Sequence, residues 1–373
     1  MPLTPLDAAV LIGRFQPLHH GHLAGLRHAL AHAPRCVVVI ASAHQARTPR
    51  NPFTWEERAQ LIRHSLRDDE QARVDFVPAR EPFHLPRWAC QVHEAVQLAL
   101  GARPHPARIG LVSLMEDVPS HARMHAALRS HTGWRDLPAS PAPPLPSVPT
   151  PLPTPERVGR LTPGRVLREH LFASAHEGPD TTLAGMAHAL PEASQRFVRQ
   201  WLDGPHYPVL AEEWRMLRDY HAAWSASPYP PVFVTVDALV TCGGHHVLLI
   251  RRGQAPGKGL LALPGGFLDV HESLWHATLR ELAEETGLQR PETDWHAALR
   301  GVAVFDHPER SQRGRTLTHC HWFDLPEASP PPVEAADDAA DAAWLPLSHL
   351  RALEDQFHDD HFHIPDHFLG LTG

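Results

Sequence analysis

Along the first hundred residues, short apolar runs alternate with stretches whose apolar residues recur at helical spacing. The runs "AAVLIGRF", "CVVVIAS" and "VDFVPA" read as strands apolar on both faces, with helices expected from about Gly21 to Ala31 and at "TWEERAQLIRHSL". Continuous apolar strands separated by amphipathic helices predict an α/β domain built on a parallel sheet covered on both sides. Such an architecture suits a nucleotide.

The pattern changes at residues 138–155, "PASPAPPLPSVPTPLPTP", where so many prolines cannot donate a regular hydrogen-bond ladder and an extended inserted segment is expected. Helical spacing returns between about 161 and 227 and stops at "SPYPP", where Pro228, Pro230 and Pro231 break the helix. β-rich runs follow, "VFVTVDALV", "HHVLLIRR", "GVAVFDH" and "THCHWFDL", with helical patterns between and after them. The second half therefore reads as α+β, and the expected domains are residues 1–229 and 230–373.

Composition narrows the partners. At 373 residues the chain is long enough for two cores. Its formal charge of −8 and scattered Lys and Arg argue against nucleic acid or a membrane surface. Cys36, Cys90, Cys242 and Cys320 form no C-x-x-C pair, so neither a zinc knuckle nor a secreted disulfide framework is expected. No apolar run approaches the roughly 20 residues of a membrane span, which completes the expectation of a reduced, cytoplasmic protein. Self-association into a homo-oligomer is left open by the sequence.

The strongest chemical signal is "GGFLDVHESLWHATLRELAEETGL", Gly265 to Leu288. At about 100° per residue, Glu281, Glu284 and Glu285 share one narrow arc of a helix, where they repel one another unless a cation lies among them. Hard oxygen ligands at that density suit Mg²⁺ or Mn²⁺. A solvated acidic helix face is the commoner meaning of a Glu cluster. Against it, Gly266, Glu272, Arg280, Glu281, Glu284, Glu285 and Gly287 fill every fixed position of G-x5-E-x7-R-E-U-x-E-E-x-G-U, and the stretch resembles the Nudix box. The resemblance implies that Gly265 offers a carbonyl to metal, that Glu281, Glu284 and Glu285 bind or support the metals, and that Arg280 orients a carboxylate.

Beyond the box, "RRGQAPGKGLLALPGGF", "VFDHPERSQRGRTLTH" and "EDQFHDDHFHIPDHF" resemble the ADP-ribose pyrophosphatase half of bifunctional enzymes that join nicotinamide mononucleotide (NMN) adenylyltransferase to a Nudix hydrolase. Arg251, Arg252, Arg313 and Arg315 are candidate phosphate or ribose partners, because a guanidinium presents fork-shaped donors to an anion. His358, His361, His363 and His367 lack an isolated four-ligand spacing and are read as packing and surface residues.

Near the start, "GRFQPLHHGH" places Gly13, Phe15, Pro17, His19, Gly21 and His22 in the G-x-F-x-P-x-H-x-G-H form of the nucleotidyltransferase superfamily, with Arg14 inside the same turn. A glycine turn from strand to helix lets backbone N–H groups approach phosphates. The resemblance implies a Rossmann-like nucleotidyltransferase fold, with His19 and His22 on the ATP phosphates and Gly13, Arg14 and Phe15 lining the site. "ARTPRNPFTWEER" supplies Arg47 and Asn51 as ligand contacts, while Thr54 and Glu57 also form a capping box.

Two segments depart from that pattern. Glu116 stands where relatives carry a lysine, and S-x-T-x-I-R appears only as "LTPGRVLRE", where Thr162 with Arg165 or Arg168 would have to substitute. The expectation is a bifunctional enzyme that cleaves ADP-ribose with a Nudix fold and binds ATP, but turns over NMN weakly, in its first half. Two alternatives are a hydrolase with an inactive nucleotide-binding regulatory domain and a sensor of NAD metabolites. No basic DNA-reading helix supports the last.

Overall fold

A computed structural model describes residues 5–102, 107–113, 119–139 and 163–372, without the side chains of 119–121. Its Cα packing divides the chain into two compact units, Met1–Glu212 and Glu213–Gly373.

The first unit begins β1 (Ala8–Gly13), α1 (His20–His32), β2 (Cys36–Ile40), α2 (Trp55–His64), α3 (Asp68–Gln71) and β3 (Val74–Pro78). It continues α4 (Leu85–Leu100), β4 (Ile109–Ser113), α5 (Pro119–Thr132) and β5 (Arg135–Pro138). All neighbouring strands are parallel, in the order β3-β2-β1-β4-β5. Alternation along the central strands explains their unbroken apolar character. Ala9, Leu11, Val38 and Ile40 pack with Leu26 of α1 and Ile62 of α2 on one face. Ala8, Val10, Val37 and Val39 pack with Trp88 and Val92 of α4 and Leu128 of α5 on the other. The Rossmann-like expectation therefore holds.

Four helices follow: α6 (Pro163–Ala173), α7 (Pro179–Met186), α8 (Glu192–Leu202) and α9 (His206–Ala223). The units divide inside α9, upstream of the boundary expected at Pro230. The far part of this helix is committed to the second unit: Glu213 accepts from the Gly257 N–H at 2.9 Å, and Tyr220 and Trp224 meet the Phe233 ring. The proline-rich stretch also starts later than its composition suggests. Pro138 pairs with Ser113, and Ala139 is buried and donates its N–H to the Ser113 carbonyl, so only residues 140–155 remain of that expectation, outside the described residues.

The second unit contains β6 (Val232–Cys242), β7 (His246–Arg252), β8 (Leu261–Ala262), β9 (Gly265–Phe267), α10 (Leu274–Thr286) and α11 (Glu292–Ala298). It ends with β10 (Leu299–Phe305), β11 (Arg315–Leu325), β12 (Ala339–Pro346), a 3₁₀ stretch Leu347–Gln356 and α12 (His363–Leu369). The sheet is mixed, β10-β11-β6-β7-β12, with β9 beside β6 and β8 beside β7; only β11 and β6 run parallel. α10 and α11 cover one face through Leu282 and Trp295. Leu350, Phe362 and Ile364 cover the other. This is the α+β arrangement expected. No helix among the described residues is long and apolar enough to cross a membrane.

Candidate active sites

In the second unit, Ser273 caps α10 at its start and Gly287, at φ +66°, ends it, so the three box glutamates point from one short rigid helix. β9 lies alongside and brings Gly265 to Glu285, whose Oε2 accepts the Gly265 N–H at 2.8 Å. The close approach needs glycine twice over. A Cβ at Gly265 would sit 2.2 Å from the Val236 carbonyl, and one at Gly266 would sit 2.3 Å from Glu281 Oε1.

Arg280 is the hub of the carboxylates. Its Nη1 donates to Glu281 Oε1 and Glu284 Oε2, each at 2.9 Å, its Nη2 and Nε hold both oxygens of Glu272, and Nη2 also reaches the Phe267 carbonyl at 3.2 Å. Burial pushes the Glu285 carboxyl up to about 8, despite the Gly265 hydrogen bond, and burial also raises Glu281. Among the described residues no three metal-capable side chains converge around a point, because Arg280 is the cation that holds Glu281 and Glu284 here. The donor set nevertheless fits a hard divalent ion in its chemistry. It offers oxygens only, and two of its carboxylates are buried at a cost that a bound cation would relieve.

Behind β9, Asp237 of β6 is register-paired with Gly265 and buried, and Arg310 forms a two-bond pair with buried Asp360, 2.8 Å on each arm. Sequence reasoning passed over these three residues. One signal was present, a carboxylate in the middle of the otherwise apolar "VFVTVDALV". Arg251 and Arg315 are each tied to a nearby carbonyl, Gly259 and Asp306 respectively, and Arg313 lies over the Phe267 ring at 5.4 Å. Arg252 is half-buried and acts electrostatically on Glu285. His358 is buried and His361 partly so, the second accepting the Leu263 N–H through Nδ1 at 3.1 Å.

In the first unit, the turn after β1 is compact. Phe15, at φ +52°, folds back so that a Cβ on Gly13 would meet its ring at 2.9 Å, which explains the glycine. His19 caps α1 by accepting the His22 N–H through Nδ1 at 3.4 Å, and the two imidazoles stack with centroids 3.7 Å apart. Both rings are buried. Burial, with help from the nearby charges of His20 and Arg168, lowers His19 to about 3, so it is a neutral imidazole at physiological pH.

Arg168 donates to the Gln16 carbonyl at 2.7 Å, while Gln16 in turn makes paired side-chain bonds to the backbone of Phe53. Arg14, Arg50 and Arg165 all act electrostatically on Arg168, so positive charge is concentrated around it. Arg50 was missed as a candidate, although it stands in the quoted "ARTPRNPF". Arg47 does not join this group. Its guanidinium makes paired 2.7 Å bonds to Glu57, the capping-box residue of α2. Asn51 is buried, with Nδ2 on Gln45 Oε1 at 2.7 Å. Glu116 and Thr162 lie outside the described residues.

Residues 231–368 match the family model described as NUDIX domain, and residues 10–90 match that described as cytidylyltransferase-like. A nicotinamide/nicotinic acid mononucleotide adenylyltransferase from Acinetobacter baylyi is 33% identical over 115 residues, 31% of this chain and 60% of the relative. An ADP-ribose pyrophosphatase from Methanocaldococcus jannaschii is 35% identical over 120 residues, 32% of this chain and 65% of the relative. The chain thus spans under two thirds of each of these curated relatives. A crystal structure of a bifunctional NMN adenylyltransferase/ADP ribose pyrophosphatase from Francisella tularensis is similar over 99% of this chain and 100% of that one, with TM-score 0.82 and 28% identity. A second structure of that protein, complexed with AMP and a Mn ion, gives 27% identity and the same TM-score of 0.82.

Proposed function

We infer that the chain, which belongs to the Nudix family over residues 231–368 and to the cytidylyltransferase-like family over residues 10–90, is a two-activity enzyme of NAD metabolism. Its second unit hydrolyses ADP-ribose with water to AMP and ribose 5-phosphate. Its first unit transfers the adenylyl group of ATP to NMN, giving NAD and pyrophosphate. The observation that carries the hydrolase is the placement of Glu285 against Gly265 and of Glu281 against Gly266, with Arg280 holding Glu281 and Glu284 and two carboxylates raised by burial.

A divalent ion, Mg²⁺ or Mn²⁺, supplies Lewis acidity toward the diphosphate and acidifies water when bound. The Gly265 carbonyl and the three glutamates are the residues that would hold it. Arg280 aligns Glu281 and Glu284 through one nitrogen, and Arg252 and Arg313 supply positive charge toward the remaining diphosphate oxygens.

In the first unit, the arginine cluster and the start of α1 favour a polyphosphate. Neutral His19, with the His22 ring stacked on it, stabilises charge by hydrogen bonding rather than by proton release, which suits direct attack of the NMN phosphate on the α-phosphorus. A reduced cytoplasmic setting agrees with four free cysteines, three of them buried. The test is one preparation assayed twice with Mg²⁺, once with ADP-ribose and once with NMN plus ATP. AMP with ribose 5-phosphate, and NAD with pyrophosphate, are the expected products; a panel of other diphosphates cleaved in preference to ADP-ribose would overturn the first reading.

A further inference from the structure

Arg58 is 1% exposed and closes the quoted "ARTPRNPFTWEER", where the sequence pattern gave it no role of its own. It sits on the first turn of α2, where an arginine would ordinarily face solvent. Every hydrogen bond of its guanidinium goes to a backbone carbonyl. Nη1 reaches Arg14 O and Ala41 O, both at 2.7 Å, Nη2 reaches Ser42 O at 3.1 Å, and Nε reaches Thr54 O at 3.1 Å.

Those four carbonyls belong to three separate segments: the turn after β1, the turn after β2, and the cap of α2. All three lie at the C-terminal edge of the parallel sheet, where open α/β sheets place their ligands. The ends of β1 and β2 are already joined by the Ala41 N–H to Gly13 O bond at 2.9 Å, and Arg58 spans that junction from beneath. Ser42, at φ +52°, and Phe15, also at φ +52°, flank the carbonyls it holds. A conformation of that kind persists only when its surroundings fix it.

We propose that Arg58 is a positioning residue for adenylyl transfer, fixing the Arg14–Phe15 turn against the Ala41–Ser42 turn so that Arg14, His19 and His22 meet the ATP phosphates in register. The proposal rests on the transferase reading of the first unit. Lysine cannot replace arginine here, because a compact ammonium with three donors cannot reach four carbonyls spread around a planar fork. The charge is also useful in place. It lies beside Arg14, and two like charges under one turn favour a polyanion above it.

The experiment compares wild type, Arg58→Lys and Arg58→Met in the full chain. It measures NAD formation from NMN and ATP, ATP affinity by calorimetry, thermal unfolding, and ADP-ribose hydrolysis as the activity of the other unit. For Arg58→Lys we expect ATP affinity within about threefold of wild type and kcat for NAD lowered about 10²-fold, the cost of an ångström-scale misplacement. Hydrolysis should be unchanged, and Arg58→Met should lie below Arg58→Lys in kcat. Wild-type kcat in Arg58→Lys would overturn the proposal. So would loss of ATP affinity in step with loss of the first unit's thermal transition, which makes Arg58 a stability residue only. Absence of NAD formation by the wild type overturns the transferase reading itself, and the proposal with it.

Discussion

Arg168 Nη1 donates to the carbonyl oxygen of Gln16 at 2.7 Å, across 152 positions of chain. The segment in which the family signature is disturbed therefore still delivers a guanidinium to the "GRFQPLHHGH" turn through buried Arg168, whereas Arg165 is exposed. Arg168 is buried, which lowers it well below an ordinary arginine and adds to the cost of losing its partner.

Arg168→Ala should therefore lower NAD formation about 10²-fold, whereas Arg165→Ala should change it by less than about threefold. The measurement is kcat for NMN adenylylation with both variants in one assay series. Equal losses would show that the Gln16 contact is not what matters.

The carboxylates of α10 give a second expectation. Glu285→Gln keeps the shape and the acceptor oxygen for the Gly265 N–H but removes the capacity to ionise toward a bound cation. ADP-ribose hydrolysis should fall by about 10²–10³ or more, the scale of losing a main electrostatic group at a reacting centre. Thermal stability in EDTA should not fall, since burial already favours the neutral carboxyl there and the amide is neutral as well. Wild-type hydrolysis should also stop when EDTA is in excess. A destabilised variant, or hydrolysis surviving EDTA, would contradict the metal-centred reading.

Why some of this was legible in the sequence follows from how each feature is encoded. β1 and β2 were visible because both of their faces are covered, so every position had to be apolar. α10 was visible because its chemistry and its helical period coincide. β12, "AADAAWLP", carries little strand signal, being half alanine, and becomes a strand because seven of its residues pair with β7. The boundary inside α9 was invisible for a related reason: proline marks where a helix must stop, not where its packing changes partner. Arg58 and Arg310 could not be read at all as buried, since their burial depends on carbonyls and on a carboxylate far away in the chain.

The proline-rich segment yields a third expectation. Deleting residues 140–154 should leave ADP-ribose hydrolysis unchanged, because the box and its supporting strands all belong to 213–373. Extending the deletion by one residue, to Ala139, removes a side chain only 4% exposed and an N–H bonded to Ser113. That longer deletion should lower the melting point of the first unit relative to the shorter one. Identical melting curves would mean that the end of β5 contributes nothing to the core.

Acid stability of the first unit depends on His19. Its folded form titrates at about 3 against 6.5 for a free imidazole, chiefly through burial. Below pH 6.5 the unfolded chain takes up a proton that the folded chain refuses, so the unfolded state binds more protons and stability falls as pH falls. The loss accumulates at up to about 1.4 kcal/mol per pH unit between 6.5 and 3, and vanishes above 6.5, where both states are neutral. His19→Gln retains an acceptor for the His22 N–H without a titrating ring, so its unfolding free energy should depend less steeply on pH across that window. Urea unfolding of both proteins at half-unit steps from pH 7 to pH 4.5 would show it. Parallel curves would mean that the imidazole is protonated in the folded state, and that the histidine pair carries charge to the phosphates rather than a neutral hydrogen bond.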